Sequence, residues 1–470
     1  MRPTIPVAYL LPFLCVTLFV TQLGLSLSDL PSLKLMQDIA CKKHYGLVTQ
    51  ELLPEEKCRD AAVQRILNRV NIGISVSVTI GSALVAFPLG ILADRVGRVP
   101  ILAASLLSLF LSQGYAMLVC WRWEAMPLEA MWAMGVFFLL GGGQRMAEAI
   151  VFTMVADVAP RSQSIVFRIH RLTWGKASWF QWVVGAVLAA ELAGPFLSAR
   201  LIESSIWLPL YVSLALVAVG GILLALLSPE TLCRKTDCVK EDLDGGSPVT
   251  TKRIIIAIFS RPAVFLVPGA VLSLPMAATL SGILFRFMPV QFHWELSKSA
   301  LLVSLRSMIT LVTLLILLPG AAYICNKKTT YSHRYRDGIF LRASALCFLA
   351  GSAFLVLVLN QGFIIAGVVL SALGSGIPTL CRSMMVSALG EKSTGLLFGI
   401  LAIGEIIGFL CCTVAMGALF DVALTSWIGY PFVLGVVLAG AILITSWMAG
   451  TSKEKATPEK ADVVLEPLKN

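Results

Sequence analysis

Six charged residues lie inside stretches of sequence that are otherwise apolar. They are Arg145, Glu148, Glu191, Arg306, Arg382 and Glu405. A carboxylate in apolar surroundings can take up and release a proton, and a guanidinium can bind an anionic group. An ionised side chain inside hydrocarbon is costly unless it is paired or faces a water-filled path. The sequence therefore predicts that these side chains are candidate substrate- or proton-binding groups.

Arg145 and Glu148 are the favoured pair among these candidates. They are three residues apart in one predicted helix, so they lie on the same helix face. We expect them to pair within a central cavity, where Glu148 also offers a protonatable carboxylate. The pair is therefore predicted to bind substrate or a proton.

The other four charged residues each have a structural alternative. Glu405, between two helix glycines, is expected to be an isolated, desolvated carboxylate that couples to protons or forms a bond between helices. Glu191 can bond to a neighbouring helix, and Arg306 can bind an anionic group or extend outward. Arg382, near a cytoplasmic helix end, fits a structural role at least as well as substrate contact.

Membrane-spanning helices must position these residues. Hydrophobic residues make up 57% of the 470 positions and charged residues 14%, whereas a soluble domain is ~45–50% apolar. Segments of roughly 20 apolar residues, the length that crosses a bilayer, recur along the chain. The predicted spans are 5–27, 72–92, 100–120, 129–155, 175–198, 205–228, 263–287, 299–324, 340–359, 362–386, 394–419 and 429–449. The expected fold class is an all-α membrane protein with twelve transmembrane helices in two six-helix bundles.

Lys and Arg residues gather in alternate connecting segments, so the net charge of +10 carries topological information. By the positive-inside rule these segments are cytoplasmic, which places both termini on that side. A lipid bilayer, and not nucleic acid, is the partner expected from this charge. The predicted organisation is an N-terminal bundle over 1–232 with an exterior loop over 28–71, a cytoplasmic linker over 233–260, a C-terminal bundle over 261–450 and a cytoplasmic tail over 451–470.

Cys41 and Cys58 are the two cysteines that invite pairing. Both lie in the predicted exterior loop, and an oxidising exterior permits a disulfide there. The alternative is two unpaired thiols. A bond would close and stiffen this loop.

The segment Gly90 to Arg98 fits the pattern Gly-x-x-x-Asp-Arg-x-Gly-Arg between the second and third predicted spans. Gly90 permits close helix approach, Gly97 permits a sharp turn, and Asp94, Arg95 and Arg98 can form a charge cluster. This pattern resembles the signature of the major facilitator superfamily. The resemblance implies the two-bundle fold of that family and a cytoplasmic gate that stabilises the outward-facing state. Val99 stands where a second basic residue is usual, so a weaker latch is implied, and a merely stabilising turn is the alternative.

The fifth predicted span contains Gly194 and Pro195 in a degenerate pattern that resembles the fifth-helix motif of drug/proton antiporters. Pro195 removes a backbone donor, and small neighbours allow close packing. We expect this stretch to bend and to seal the two bundles against each other. The resemblance favours export.

Further short patterns are similar to those of fungal members of the superfamily. They are Cys41 with Cys58, Ser228-Pro-Glu230, Phe292-His-Trp294, and Leu373-Gly-Ser-Gly376 with Arg382. The branch they resemble is distantly similar to proton-coupled folate transporters, and many of its fungal members are encoded with secondary-metabolite pathways. The resemblance implies a small organic cargo and no protein-bound cofactor, with a proton gradient as the energy source.

An enzyme is not expected, because the four His residues fall in or near loops and no metal-ligand or nucleotide-binding pattern is present. Proton-coupled efflux of a small molecule such as a secondary metabolite ranks first. The alternatives are a proton-coupled uptake symporter and, less favoured, a transport-dead membrane sensor. We expect a monomer in the plasma membrane, with a vacuolar or other internal membrane as the alternative.

Overall fold

Helices make up the regular structure of this protein. The computed structural model describes residues 9–158, 177–231, 263–328, 333–389 and 394–449. Its α-helices, numbered in chain order, are α1 (Leu10–Tyr45), α2 (Ala61–Val96), α3 (Arg98–Trp121), α4 (Met134–Gly141), α5 (Gly143–Val158), α6 (Ala177–Ile202), α7 (Trp207–Leu227), α8 (Ala263–Phe292), α9 (Leu296–Val312), α10 (Leu318–Lys328), α11 (His333–Leu357), α12 (Gln361–Leu373), α13 (Ile377–Leu389), α14 (Thr394–Ala423) and α15 (Tyr430–Met448). Short 3₁₀ turns cover Glu55–Arg59, Leu128–Ala133 and Gly374–Gly376, and a π turn covers Thr313–Leu317. No strand occurs in these ranges, which confirms the all-α expectation.

Eleven helical segments in the described ranges are long and apolar enough to cross a membrane. They overlap eleven of the twelve predicted spans. The exception is the fourth, 129–155, where the helix is interrupted. The protein is thus a multi-span helical membrane protein, and the twelfth crossing stays a prediction.

The interruption in the fourth predicted span lies at Gly142 and Gly143. Their φ angles of 73° and 64° are left-handed, a conformation that glycine adopts without the steric penalty of a Cβ atom. Helix α3 satisfies the backbone groups freed by the break. Ser105 Oγ donates to the Gly141 carbonyl at 2.6 Å, and the N–H of Gly143 donates to Ser108 Oγ at 3.2 Å. The glycines at this break therefore allow the chain to restart as α5.

The structure corrects the predicted exterior loop over 28–71. Helix α1 continues to Tyr45 and α2 begins at Ala61, so the connection is only residues 46–60. Charged residues lower the mean hydropathy here and end an apolar window early. The apolar side chains nevertheless keep a helical spacing and are buried; they are Leu30, Leu33, Met36, Ile39 and Ala40. The periodicity, and not the hydropathy, marks where these two helices end.

The molecule has two halves, residues 9–231 and 263–449, joined through residues outside the described ranges. In the first half α1 packs against α6 and α7, and α3 packs against α4 and α7. In the second half α8 packs against α13, α14 and α15, and α11 packs against α12 and α15. Between the halves, α6 packs against α9 and α2 packs against α14. We name the end with the 46–60 connection the disulfide end, and the end with Gly90–Arg98 the motif end.

Each half has an apolar core of its own, and a further core lies at the disulfide end. That further core combines Leu30 and Leu67 of the first half with Leu296 and Ala300 of the second. Burial of apolar surface in this core stabilises both the disulfide end and the contact between the halves. The halves are therefore held together by apolar packing at the disulfide end.

Candidate functional site

Two cavities lie between the halves. The larger measures about 690 Å³, and its polar lining includes Asp29, Asn71, Gln113, Gln144, Thr279 and Arg286. The smaller measures about 450 Å³, and its polar lining includes Arg145, Glu191, Arg306, Thr310, Arg382 and Glu405. Both volumes suit a small organic ligand. The smaller cavity brings together five of the six charged residues that the sequence singles out.

The two cavities meet at Arg145 of α5 and Phe409 of α14, which line both. The guanidinium carbon of Arg145 lies 5.0 Å from the centroid of the Phe409 ring, within the range of a cation–π contact. This contact crosses from one half to the other. Arg145, near the start of α5, therefore forms a contact between the halves where the two cavities meet.

Glu148 does not form the expected ion pair with Arg145. It accepts a hydrogen bond from Gln144 Nε2 at 2.8 Å, and the same nitrogen lies 3.2 Å from Gln22 Oε1 of α1. The spacing of three residues puts Arg145 and Glu148 on one face, but the long arginine side chain reaches across the interface to Phe409. Glu148 is thus hydrogen-bonded to a neutral amide of its own half.

Glu191 of α6 and Arg306 of α9 form an electrostatic pair between the halves. Helices α6 and α9 pack closely, so both residues are fixed by the packing of their helices. Asp29, which was expected in a loop, lies on α1 and is a charged neighbour of Glu191.

Glu405 is not the isolated carboxylate that was expected, because Arg382 Nη2 donates a hydrogen bond to its Oε1. Arg382 lies on α13 and Glu405 on α14, and both line the smaller cavity. The sequence placed Arg382 near a helix end and so missed this pairing. The two residues form an ion pair within the second half.

Several buried polar atoms in the cavity walls have no hydrogen-bond partner in the described structure. In the smaller cavity they are Thr310 Oγ1, Ser375 Oγ and Arg382 Nε. In the larger cavity they are Ser112 Oγ and Gln113 Oε1. Buried polar atoms normally have partners, and these atoms are enclosed by the cavity walls without one.

A polar network joins the halves beside the larger cavity, towards the disulfide end. Asn68 Nδ2 of α2 donates to the Gly417 carbonyl and to Asp421 Oδ1 of α14, both at 2.8 Å. Arg286 Nη1 of α8 donates to Asn68 Oδ1 at 2.7 Å and lies over the Phe420 ring. This network was not predictable from hydropathy, which places Asn68 in a loop and Asp421 outside a span. Arg286 lies inside the seventh predicted span, so the criterion that identified Arg306, a charge in an apolar segment, could also have identified Arg286.

A disulfide joins Cys41 at the end of α1 to Cys58 before α2, with their Cα atoms 5.3 Å apart. The Cys58 carbonyl accepts hydrogen bonds from Gln37 and Gln64. Next to it, Arg59 donates to the His293 carbonyl of the second half at 3.1 Å. The bonded segment therefore also holds the two halves together.

At the motif end, Gly90–Val96 form the last turns of α2, Gly97 alone connects the helices, and Arg98 begins α3. Asp94 pairs with Arg98 at 3.1 Å, while the side chain of Arg95 is exposed. Gly97 has a left-handed φ of 127°, and the backbone N–H groups of Arg98 and Val99 donate to the Glu230 carboxylate at 2.8 and 3.2 Å. Acidic groups stabilise helix N-termini. Glu230, singled out only as part of a family pattern, thus fixes the start of α3.

Helices α2 and α14 touch towards the disulfide end, where a side chain on Gly417 would collide with Ile72. Gly90 lies eighteen residues after Ile72, and Gly399 lies eighteen residues before Gly417. Eighteen residues make five helical turns at 3.6 residues per turn, so both glycines lie on the facing sides of these helices. Neither has a neighbour where a Cβ atom would stand. The described parts of the two helices therefore separate towards the motif end.

Gly194 and Pro195 lie inside α6, which the structure assigns as one helix from Ala177 to Ile202. A side chain on Gly194 would collide with Ser26 of α1, so this glycine allows close packing within the first half. Pro195 lines the larger cavity. The close packing expected of this motif is found between α1 and α6 and not between the halves.

Comparison with known proteins gives consistent matches over most of the chain. The family model of the Major Facilitator Superfamily matches residues 13–336. The MFS efflux pump atnC of Emericella nidulans is 26% identical over 454 residues, which cover 91% of this chain and 85% of that protein. The efflux pump ustT of Aspergillus flavus is 24% identical over 405 residues, which cover 81% of this chain and 76% of that protein. Both relatives are fungal, as the sequence patterns predict.

Solved structures share the fold. The human organic anion transporter TETRAN superposes with a TM-score of 0.58 at 14% identity, covering 95% of this chain and all of that one. At this identity the likeness concerns the arrangement of helices alone. The arrangement of helices in this chain is thus one that a solved structure also has.

Proposed function

This chain belongs to the Major Facilitator Superfamily, and from that membership we propose that it exports a small organic molecule, such as a fungal secondary metabolite, in exchange for protons. The single observation that carries the proposal is the pair of polar cavities between the halves, lined by charges from both. Such a site can be exposed to either side by rocking one half against the other. The efflux pumps similar to it over most of its length favour the outward direction.

The contacts between the halves support an inward-facing arrangement. At the disulfide end, Asn68, Arg59 and a shared apolar core join the halves. At the motif end, Gly90 and Gly399 face open space, and the Asp94 side chain is 64% exposed. With the disulfide end exterior, as loop charge predicts, the cavities open towards the cytoplasm. Cytoplasmic cargo enters from there in this proposal, with both termini on the same side and twelve helix crossings in all.

Protons are proposed to act through the carboxylates of the interface. Glu148 is hydrogen-bonded to a neutral amide and interacts with Arg145 only electrostatically, whereas Glu191 faces Arg306 and Glu405 is bonded to Arg382. A carboxylate that is not bonded to a cation can take up a proton without breaking an ion pair. We therefore place the transported proton on Glu148, with Glu405 as the second candidate.

The export proposal is tested by metabolite profiling of cells that naturally contain this protein. Wild-type, deletion and Arg145→Gln strains are grown in parallel, and the compounds in cells and medium are measured. An exporter leads to a compound that moves from medium to cells in the deletion strain and in the variant. A compound that accumulates inside wild-type cells and is lost from them on deletion would establish uptake instead. A strain with Arg200→Gln, an exposed arginine at the surface, is the matched control.

A tagged copy of the protein tests localisation in the same strains. We expect it in the plasma membrane, and a vacuolar signal would redirect the proposal to sequestration.

A further inference from the structure

We infer that the cargo is an organic anion: an apolar molecule whose carboxylate binds Arg145 and whose body occupies the smaller cavity. This inference rests on the proposed function in one respect, namely that the cavities between the halves bind the cargo. It adds the chemical class of that cargo, which neither the fold nor the similarity to efflux pumps supplies.

Three arginines and two glutamates line the smaller cavity, so one arginine has no acidic partner in the lining. Glu191 is matched by Arg306, and Glu405 by Arg382. Arg145 is the fifth charged residue of the lining. Its contact with the Phe409 ring supplies no oxygen acceptor, and no acceptor from the described residues lies within hydrogen-bond distance of it. A ligand carboxylate would balance this charge and accept its N–H groups.

The neighbouring carboxylates do not already balance Arg145. Glu148 interacts electrostatically with Arg145, yet its carboxylate is hydrogen-bonded to Gln144 and not to the guanidinium. Asp29 and Arg145 both line the larger cavity, but no ion pair joins them in the described structure, and the charged neighbour of Asp29 is Glu191. The guanidinium of Arg145 therefore forms no ion pair with an acidic residue of the described structure and can bind an anionic ligand.

The acids of the smaller cavity disfavour a cationic ligand. A cationic cargo would have to compete with arginines for Glu191 and Glu405. An arginine without an acidic partner and acids that have arginine partners together select an anion.

Much of the rest of the wall is apolar and sets the character of the cargo body. It includes Leu188, Leu284, Phe348, Leu355 and Val368. A cavity of about 450 Å³ accommodates a molecule of several rings with its carboxylate at one side. An inside-negative membrane potential favours exit of such an anion, which agrees with transport out of the cell.

The test measures binding to the purified full-length protein in detergent, without transport. The probes are matched sets of one apolar body with different head groups: naphthylacetic acid, naphthylacetamide and naphthylethylamine, and biphenylcarboxylic acid with its amide. We expect at least one acid to bind about tenfold or more tightly than its amide and amine partners. Arg145→Gln should abolish this preference, and Arg145→Lys should keep part of it. Arg200→Gln, which changes an exposed surface arginine, should leave it unchanged.

Two results would overturn the inference: no acid binds more tightly than its amide, or the preference for acids survives in Arg145→Gln. Thermal unfolding of each variant identifies a protein that fails to fold. If Arg145→Gln fails to fold, the preference for acids is measured in Arg145→Lys instead. The outcome is separable from that of the export test. If acids bind in an Arg145-dependent way but no compound is exported from cells, the anionic cargo is supported and the export proposal is wrong. If a compound is exported but acids bind no more tightly than amides, the export proposal is supported and the anionic cargo is wrong.

Discussion

Asn68 Nδ2 lies 2.8 Å from Asp421 Oδ1, so a fully buried amide of the first half is bonded to a carboxylate of the second. The same amide reaches the Gly417 carbonyl and accepts from Arg286. One side chain thus connects three groups of the opposite half. Since buried hydrogen bonds to charged groups contribute substantially, this network should set the balance between states open at either end.

Asn68→Ala should therefore favour the form that is open at the disulfide end. Loss of hydrogen bonds to charged partners is worth about 1.5–3 kcal/mol, a shift of about tenfold or more. A cysteine at Ser75, which lines the larger cavity, reports the change by its labelling rate with a membrane-impermeant maleimide added to whole cells. Asn71→Ala is the control, because its amide bonds only within α2. Equal labelling in both variants would contradict a latch at Asn68.

Gly90→Leu should block closure at the motif end. Gly90 and Gly399 lie on facing sides of α2 and α14, and rocking the halves brings these sides together. We expect cargo flux to be lost while ligand binding to the purified protein is retained, because a leucine prevents the approach without touching the cavities. Gly440→Leu, which also places a side chain in open space but on α15, should transport normally. Normal flux in Gly90→Leu would show that these helices do not meet there.

The Cys41–Cys58 bond should contribute strongly to stability. It spans a sequence separation of 17 residues, and closing a loop of about that length stabilises a fold by about 3 kcal/mol in the chain-entropy view. Replacing both cysteines with alanine should lower the unfolding temperature in detergent, and reductant should lower that of the wild type only. Cys347→Ala, a free cysteine, serves as control. An unfolding temperature insensitive to both treatments would exclude a stabilising role.

Much of this architecture follows from sequence pattern alone. Apolar segments of membrane-crossing length predicted eleven of the helices, because burial in lipid leaves a plain compositional signal. Hydropathy failed where charges interrupt a helix. Asp29 lies in α1 and Asn68 in α2, but hydropathy assigns both residues to a loop. Two residues of the interface were therefore not among the predicted site residues.

The site was predictable as a set of residues but not as a set of contacts. A charge in an apolar segment is visible in the sequence, so Arg145, Glu405 and Arg382 were found. Which charge meets which depends on helix packing: Glu405 meets Arg382, and Arg145 meets Phe409. Phe409 gave no signal, because one phenylalanine in an apolar helix resembles any other.

The Arg382–Glu405 ion pair should support cargo binding. Arg382→Gln and Glu405→Gln should each weaken cargo binding, since each leaves a partly buried charge without its partner. The reversed pair, Arg382→Glu with Glu405→Arg, should recover part of the loss, as a double-mutant cycle of binding constants would show. Complete failure of the reversed pair, in a protein that unfolds at the wild-type temperature, would instead indicate a role that requires a carboxylate on α14.

Glu148→Gln should uncouple transport from protons while leaving cargo exchange intact. The amide has nearly the shape of the carboxyl group and can still bond to Gln144, so the helix packing is kept, but it cannot release a proton. In proteoliposomes, cargo flux driven by an imposed pH gradient should disappear, whereas exchange of labelled for unlabelled cargo at equal pH should continue. Glu203→Gln, an exposed surface change, should keep both activities. If Glu148→Gln and Glu405→Gln both keep gradient-driven flux, the proton lies on neither, and Glu191 with its Arg306 partner becomes the group to test.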